Sequence, residues 1–258
     1  MLTGIEWTDR TWNPVTGCTK ISAGCKHCYA ESLAKRLHAM GNARYLNGFA
    51  LALHPDKLRE PAKWREPTRV FVNSMSDLLH EDVPDAFVMS AFATMIELAP
   101  HHTYQILTKR PERWASISDQ VIVRWGRWPR NVWPGATVEN RKALPRLEAL
   151  ACAGDHETIR MVSAEPLLES LVGDGGVIED LAERLCRARI GWLISGGEAG
   201  FKARPASLDW FRELRDACYA ADVAYFHKQH GGTGVTKKAK SGGADALLDG
   251  VLHHAWPH

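Results

Sequence analysis

Arg69-Val70-Phe71-Val72-Asn73-Ser74-Met75-Ser76-Asp77 (RVFVNSMSD) passes from a β-branched and aromatic run straight into polar, chemically capable residues. The first half reads as a buried strand, and the second as the end of that strand where function is placed. The same transition recurs. Strands are expected over residues 11–16, 69–73, 103–107, 132–137, 159–162, 191–194 and 223–226. Their polar endings are Asn73 to Asp77, Thr108-Lys109-Arg110, Thr137-Val138-Glu139-Asn140, Ser163-Ala164-Glu165-Pro166, Ser195-Gly196-Gly197-Glu198 and His227-Lys228-Gln229-His230. Any one ending could be a helix cap or a turn. Six in series point to an α/β chain built as a single (β/α) barrel, partial or complete and TIM-like, spanning residues 1–258 as one domain.

Helices are expected between the strands. Tyr29, Leu33, Leu37 and Met40 recur at helical spacing and stop at Gly41. Val88, Phe92, Met95 and Ala99 do the same behind Pro84, a residue suited to a first turn. Trp210, Phe211, Leu214 and Cys218 follow Ser207, a plausible cap.

Composition narrows the class. Charged residues are 24% of the chain and the formal net charge is +2, so no global field for a polyanion is implied. No apolar run approaches a membrane span, and the first ten residues, MLTGIEWTDR, lack the apolar core of a signal peptide. A cytoplasmic protein without membrane contact is expected. There cysteines stay reduced, and a tight cluster of them reads as metal-binding or catalytic.

Such a cluster is present. Cys18, Cys25 and Cys28 form C-x6-C-x2-C inside NPVTGCTKISAGCKHCYAE. Three thiolates can hold three irons of a four-iron cluster and leave the fourth open. Gly17 and Gly24 let the backbone bend closely around a bulky core. The competing assignment is a structural zinc on the three cysteines with His27 or a remote histidine. His27 is adjacent to Cys28, a poor arrangement for two ligands of one tetrahedral ion, and no second C-x2-C pair exists. Cys152, Cys186 and Cys218 stand apart in helix-like stretches and are expected as small buried apolar residues.

Two basic stretches stand out. Arg124-Trp125-Gly126-Arg127-Trp128-Pro129-Arg130 would suit base stacking with phosphate contacts, or a loop that packs tryptophans under arginine stems. Residues 231–243 are rich in glycine and lysine and lack the spacing of a P-loop, so a mobile solvated segment is expected.

The motif NPVTGC…C-x-x-CYAE resembles the radical S-adenosylmethionine superfamily, whose usual spacing is C-x3-C-x2-C. More closely, IEWTDRTWNPVTGC, the three-cysteine run, FVNSMSDLLHEDV, ILTKRPER, SAEPLL and WLISGGEAG resemble the phage and prophage family known by gene-product numbers thirty-seven and sixty-eight. The NP-x-x-GC…CYA pattern is also similar to spore photoproduct lyase, across the motif region alone.

The resemblance implies a [4Fe-4S] cluster on Cys18, Cys25 and Cys28, with S-adenosylmethionine on the open iron and an electron donor as partner. Reductive cleavage would release a 5′-deoxyadenosyl radical, and the substrate would be DNA, RNA or a nucleotide-derived molecule undergoing modification or repair. His27 would lie near the adenine. The superfamily's GGE-like motif falls at residues 73–77, where Ser74, Ser76 and Asp77 stand in by position; Gly196-Gly197-Glu198 spells GGE on a later strand and is not that motif. Lys109, Glu139 and Asn140 suit carboxylate and ribose contacts. Glu165, Glu198 and Lys228 would either face substrate as catalytic groups or pair with one another. A zinc- or cluster-stabilised nucleic-acid-binding protein without turnover is the alternative.

Overall fold

In a computed structural model of the chain, residues 3–173, 175–233 and 244–257 are described. The chain is mixed α/β. Its main strands are β1 (Arg10–Trp12), β4 (Arg69–Val72), β5 (Thr103–Thr108), β6 (Val132–Thr137), β7 (Arg160–Ala164), β8 (Ile190–Gly196) and β9 (Ala224–Gln229), and their order in the sheet is β1-β4-β5-β6-β7-β8-β9. Short pairs lie outside it: β2 (Val15–Thr16) with β3 (Ala52–Leu53), and β10 (Leu247–Leu248) with β11 (Val251–Leu252). The helices are α1 (Tyr29–Ala39), α2 (Asp85–Ala93), α3 (Trp114–Trp125), α4 (Arg146–Ala151), α5 (Ile178–Arg187) and α6 (Leu208–Ala220). Among the described residues no helix is long and apolar enough to cross a membrane.

Two compact units divide the chain: Met1–Pro134 with Ala153–Thr158, and Gly135–Cys152 with Ile159–His258. The division falls within β6.

In the first unit β1, β4 and β5 are parallel, with Trp12 opposite Val72 and Val72 opposite Ile106. Val70, Val72, Tyr104 and Ile106 are wholly buried, as their β-branched and aromatic character requires. Val88, Phe92, Met95 and Ala99 are also wholly buried, in agreement with the helical spacing, although the last turns of that segment form a π-helix over Thr94–Leu98. Phe92 and Trp114 meet Trp128 edge-on at 5.5 and 6.1 Å between ring centres.

Three expectations are corrected here. The strand expected at residues 11–16 is two pieces, because Pro14 has no N–H to donate and the chain turns at residues 13–14 to pair β2 with β3. Helix α1 buries Ala30 and Ala34, not the large residues at helical spacing: Tyr29, Leu33 and Met40 are exposed, and only Leu37 of that set packs inward. Small side chains let α1 approach Tyr45 and Met75 closely, which a stripe of leucines would prevent. Cys152 and Cys186 are exposed at helix C-terminal ends, and only Cys218 is the buried small residue expected.

In the second unit β7, β8 and β9 are parallel and α5 and α6 pack against them. Phe211, Leu214 and Cys218 are wholly buried on α6, and Ser207 caps it by accepting from the Asp209 N–H at 3.3 Å. The glycine- and lysine-rich segment expected at residues 231–243 lies, from residue 234 on, outside the described residues.

Candidate functional site

The cysteine run lies between β2 and α1 in the first unit. Gly17 ends β2 with φ +81° and donates its N–H to the Met75 carbonyl at 3.0 Å, while the Cys18 N–H reaches the Phe49 carbonyl at 3.3 Å. Cys25 closes a 3₁₀ turn, Ala23–Cys25, and its thiol is 3.6 Å from the Ser22 hydroxyl. Cys28 occupies the cap position of α1, where its carbonyl accepts from the Ser32 N–H at 3.2 Å and the Ser32 hydroxyl at 3.1 Å. All three thiols are reduced and half-buried.

Cations face these sulfurs. The Arg110 guanidinium is 3.8 Å from Cys18 Sγ; Lys109 acts electrostatically on Cys25, and Lys20 feels both Cys25 and Cys28. Burial, followed by the Asp77 charge, pushes the Cys18 thiol up to about 11. Cys25 is also opposed by burial, but the Ile21 backbone, Lys109 and Ser22 outweigh it, and its thiol lies below the ordinary value.

Arg110 is 8% exposed and holds the site together. It pairs with Asp77 at 3.3 Å and with Glu81, and it donates to Thr19 Oγ1 at 2.7 Å. Asp77 receives four donors: the Leu79 N–H at 3.0 Å, the Thr108 hydroxyl at 2.7 Å, the Lys109 N–H at 3.1 Å and Arg110. Its carboxylate is therefore committed to bracing the loop ends of β4 and β5. Thr19, one residue past Cys18, also bonds the buried His80 at 2.8 Å. Ser74 donates to Asn13 Oδ1 at 3.2 Å and Ser76 to the Val15 carbonyl at 2.8 Å, so both hydroxyls secure the turn after β4. Tyr29 donates to the Ser74 carbonyl. His27 is half-buried in the turn between Cys25 and Cys28.

The second unit holds Glu139, Asn140, Glu165, Glu198 and Lys228. Glu165 pairs with Lys228. Glu198, 8% exposed, takes Arg204 through Nε at 2.9 Å, Nη2 at 2.7 Å and the backbone N–H at 2.9 Å. Glu139 is wholly buried and bonded to Arg146 at 2.8 Å, and Asn140 caps the turn Arg141–Ala143 through Ala143 N–H at 3.1 Å. These carboxylates are satisfied by cations of the chain itself, which is the ion-pair alternative raised by their sequence.

Sequence reasoning missed Asn13, Thr19 and Glu81. Asn13 Oδ1 accepts from both Ser74 and the Met75 N–H, the latter at 2.9 Å, and its only signal was its place in the NP of the cysteine motif. In the basic and aromatic stretch, Trp128 is core and Trp125 lies under Arg124 at 4.6 Å, the packing form of that stretch. Among the described residues no group of three or more His, Cys, Asp or Glu side chains is placed to hold a metal ion.

No curated protein matches the chain at a significant level. Residues 2–257 match the family described as a protein of unknown function (DUF5131), and the chain belongs to that family.

Proposed function

We propose that the protein is a radical S-adenosylmethionine-like iron–sulfur enzyme on a partial (β/α) barrel, acting on nucleic acid or a nucleotide-derived substrate. The observation that carries this reading is the grouping of Cys18, Cys25 and Cys28 against Arg110, Lys109 and Lys20. Thiolates that hold an inorganic core carry net negative charge, and buried negative charge needs fixed cations beside it. The charge of Cys25 acts on Cys18, and those of Cys25 and Cys28 act on Lys20, so the three thiols share one neighbourhood.

A four-iron cluster held there would supply the chemistry of one-electron reductive cleavage of S-adenosylmethionine to methionine and a 5′-deoxyadenosyl radical. The chain supplies position and charge. Cys18, Cys25 and Cys28 would be the ligands; Arg110 would donate to Cys18 Sγ and favour its thiolate, and Lys109 and Lys20 would do so by charge for Cys25 and Cys28. Asp77 holds Arg110 in place. Glu165 and Lys228 form an ion pair in the second unit, and any catalytic part they play would be that of a carboxylate base and a cationic neighbour. An external electron donor completes the reaction, and the substrate class follows the likeness of the cysteine motif to spore photoproduct lyase.

Anaerobic reconstitution with iron and sulfide is the test. About four irons per chain and 5′-deoxyadenosine release on reduction are expected, both lost in Cys25→Ala. One tightly held zinc with no deoxyadenosine would refute the reading and leave the binding protein without turnover.

A further inference from the structure

Packing does not use up the basic and aromatic stretch at residues 124–130. Trp128 is core, but Trp125 is only half-buried, and Arg124, Arg127 and Arg130 are exposed. Gly126, at φ +79°, ends α3 and turns the chain, with its N–H on the Ile122 carbonyl at 2.7 Å. A surface cavity of about 370 Å³ lies at this turn, walled by Trp125, Arg127, Pro129 and Arg130. Ile96, Pro100 and Asn131 complete it, and all of these residues belong to the first unit.

The walls are held in place by the chain itself. The Trp125 indole N–H donates to Glu97 Oε1 at 2.8 Å, and the Arg124 guanidinium lies over the ring at 4.6 Å. Asn131 Nδ2 donates to the Met95 and His102 carbonyls, each at 3.0 Å, and reaches the Pro100 carbonyl at 3.3 Å, which fixes the segment before β5 against the start of β6. The acids beside the cavity are committed: Glu97 to Trp125 and Arg124, and Glu157 to Arg130. Arg127 has neither an ion pair nor a side-chain hydrogen bond among the described residues.

These groups select a ligand by its chemistry. The indole, with Ile96, Pro100 and Pro129, favours a flat apolar face. Arg127 and Arg130 present planar forks that match phosphate oxygens. A bare anion would leave the indole wall unused, a purely apolar ring would leave the arginines unused, and a cation would be repelled. A nucleotide carries a π-face and a phosphate one sugar apart, and stacking combined with backbone charge is how single strands are held without sequence readout. The volume is at the small end of ligand pockets and suits one nucleotide, whereas a duplex keeps its bases inside the stack. We propose that this cavity holds one nucleotide unit, its base against Trp125 and its phosphate on Arg127 and Arg130. It lies before the N-terminal ends of β5 and β6, whereas Lys109 and Arg110 follow the C-terminal end of β5, about 17 Å further along that strand. The proposal rests on the nucleic-acid half of the proposed function and adds an anchor remote from the thiols. A single strand and a free mononucleotide share the chemistry.

The test uses the metal-free full chain and the fluorescence anisotropy of a short labelled oligothymidylate. The strand should bind wild type. Trp125→Ala should weaken it about tenfold and leave the salt slope unchanged, and Trp125→Phe should recover most of that loss. Arg127→Ala should lower the slope of log K against log salt by about 0.7, the share of one phosphate contact. Arg127 has no partner in the fold to lose, so this variant tests the site even where Trp125→Ala fails to fold. Arg187→Ala, which removes an exposed arginine of the second unit, is the control and should change nothing. Thymidine monophosphate is the competitor: displacement of the strand at similar concentration makes free nucleotide the ligand, and a much tighter strand makes it nucleic acid, either of which supports the site. Four results would each overturn it: no binding of strand or monophosphate by wild type, wild-type affinity in both Trp125→Ala and Arg127→Ala, equal weakening by Arg187→Ala, or displacement by polyglutamate as readily as by unlabelled strand. The cluster reading fails separately, on iron content in Cys25→Ala.

Discussion

Gly17→Ala should damage both the fold and the cysteine site, and its cost can be worked from the structure. A Cβ at residue 17 would lie 2.1 Å from the Ala50 carbonyl oxygen, 2.4 Å from its carbon and 2.7 Å from the Phe49 carbonyl oxygen. All three are backbone atoms, so no rotamer change relieves the contact. The segment must move, and the bonds from Gly17 N–H to Met75 and from Cys18 N–H to Phe49 go with it. Two such bonds contribute about 1–3 kcal/mol, and an alanine at φ +81° adds about 1–2 kcal/mol. The sum is about 2–5 kcal/mol. Gly48→Ala is the control: φ is +64°, nothing lies within 4 Å of its Cβ, and only the conformational part, about 1–2 kcal/mol, should be lost. Urea unfolding of the metal-free variants measures both. Reaction of Cys18 with a thiol reagent gives a second readout, faster in Gly17→Ala and unchanged in Gly48→Ala. Stabilities of the two variants within about 0.5 kcal/mol of each other would refute the argument, because the close approach to Ala50 would then carry no energy.

Three further outcomes test the electrostatics. In Arg110→Gln, Glu81 should return toward an ordinary carboxylate, because its hydrogen bond to Arg110 is the leading cause that holds it down to about 2. A lowered folded value means that the stability it contributes is present above the unfolded value and lost as pH falls through about 2, so the acid limb should flatten in the variant; an unchanged Glu81 titration by NMR would rule this out. His227, His230, His253 and His254 all lie below the ordinary histidine value, burial being the first cause in each, and His227 is held at about 3. The unfolded chain therefore takes up protons first, and stability should fall as pH drops below about 6.5, by up to about 1.4 kcal/mol per pH unit for the buried His227, with the other three adding in the same direction. A flat stability profile from about pH 6.5 down to about pH 5 would contradict it. Arg204→Ala strips the two side-chain bonds from the nearly buried Glu198 and should cost about 1–3 kcal/mol, against almost nothing for Arg124→Ala, whose 3.8 Å pair with Glu97 is exposed; equal costs in thermal unfolding would sink the distinction.

The parts of this protein that were legible in its sequence are those set by local chemistry. Residues 103–107 read as a strand and lie in β5, because β-branched and aromatic residues are dense there and no proline or glycine interrupts them. Residues 11–16 read as a strand on the same grounds and are broken, because the cost of Pro14 depends on which neighbour would have received its missing N–H. On α1 the period was right and the face was wrong: how closely a helix may approach its neighbour is fixed by Tyr45 and Met75, which local periodicity does not see. The site divides along the same line. Cys18, Cys25 and Cys28 announce themselves within eleven residues, whereas Arg110 reaches Cys18 across 92 positions and Asn13 reaches Ser74 across 61. Asn73 is the limiting case. A hydrogen bond can sometimes be guessed from two residue types, but a missing one is a property of the whole packed neighbourhood. A sequence reader has reason to treat Asn73 as an ordinary turn residue, since asparagine is common in turns and tolerates positive φ. The structure shows its backbone bonded on both sides and its carboxamide without a partner among the described residues, so the turn accounts for the main chain and not for the side chain.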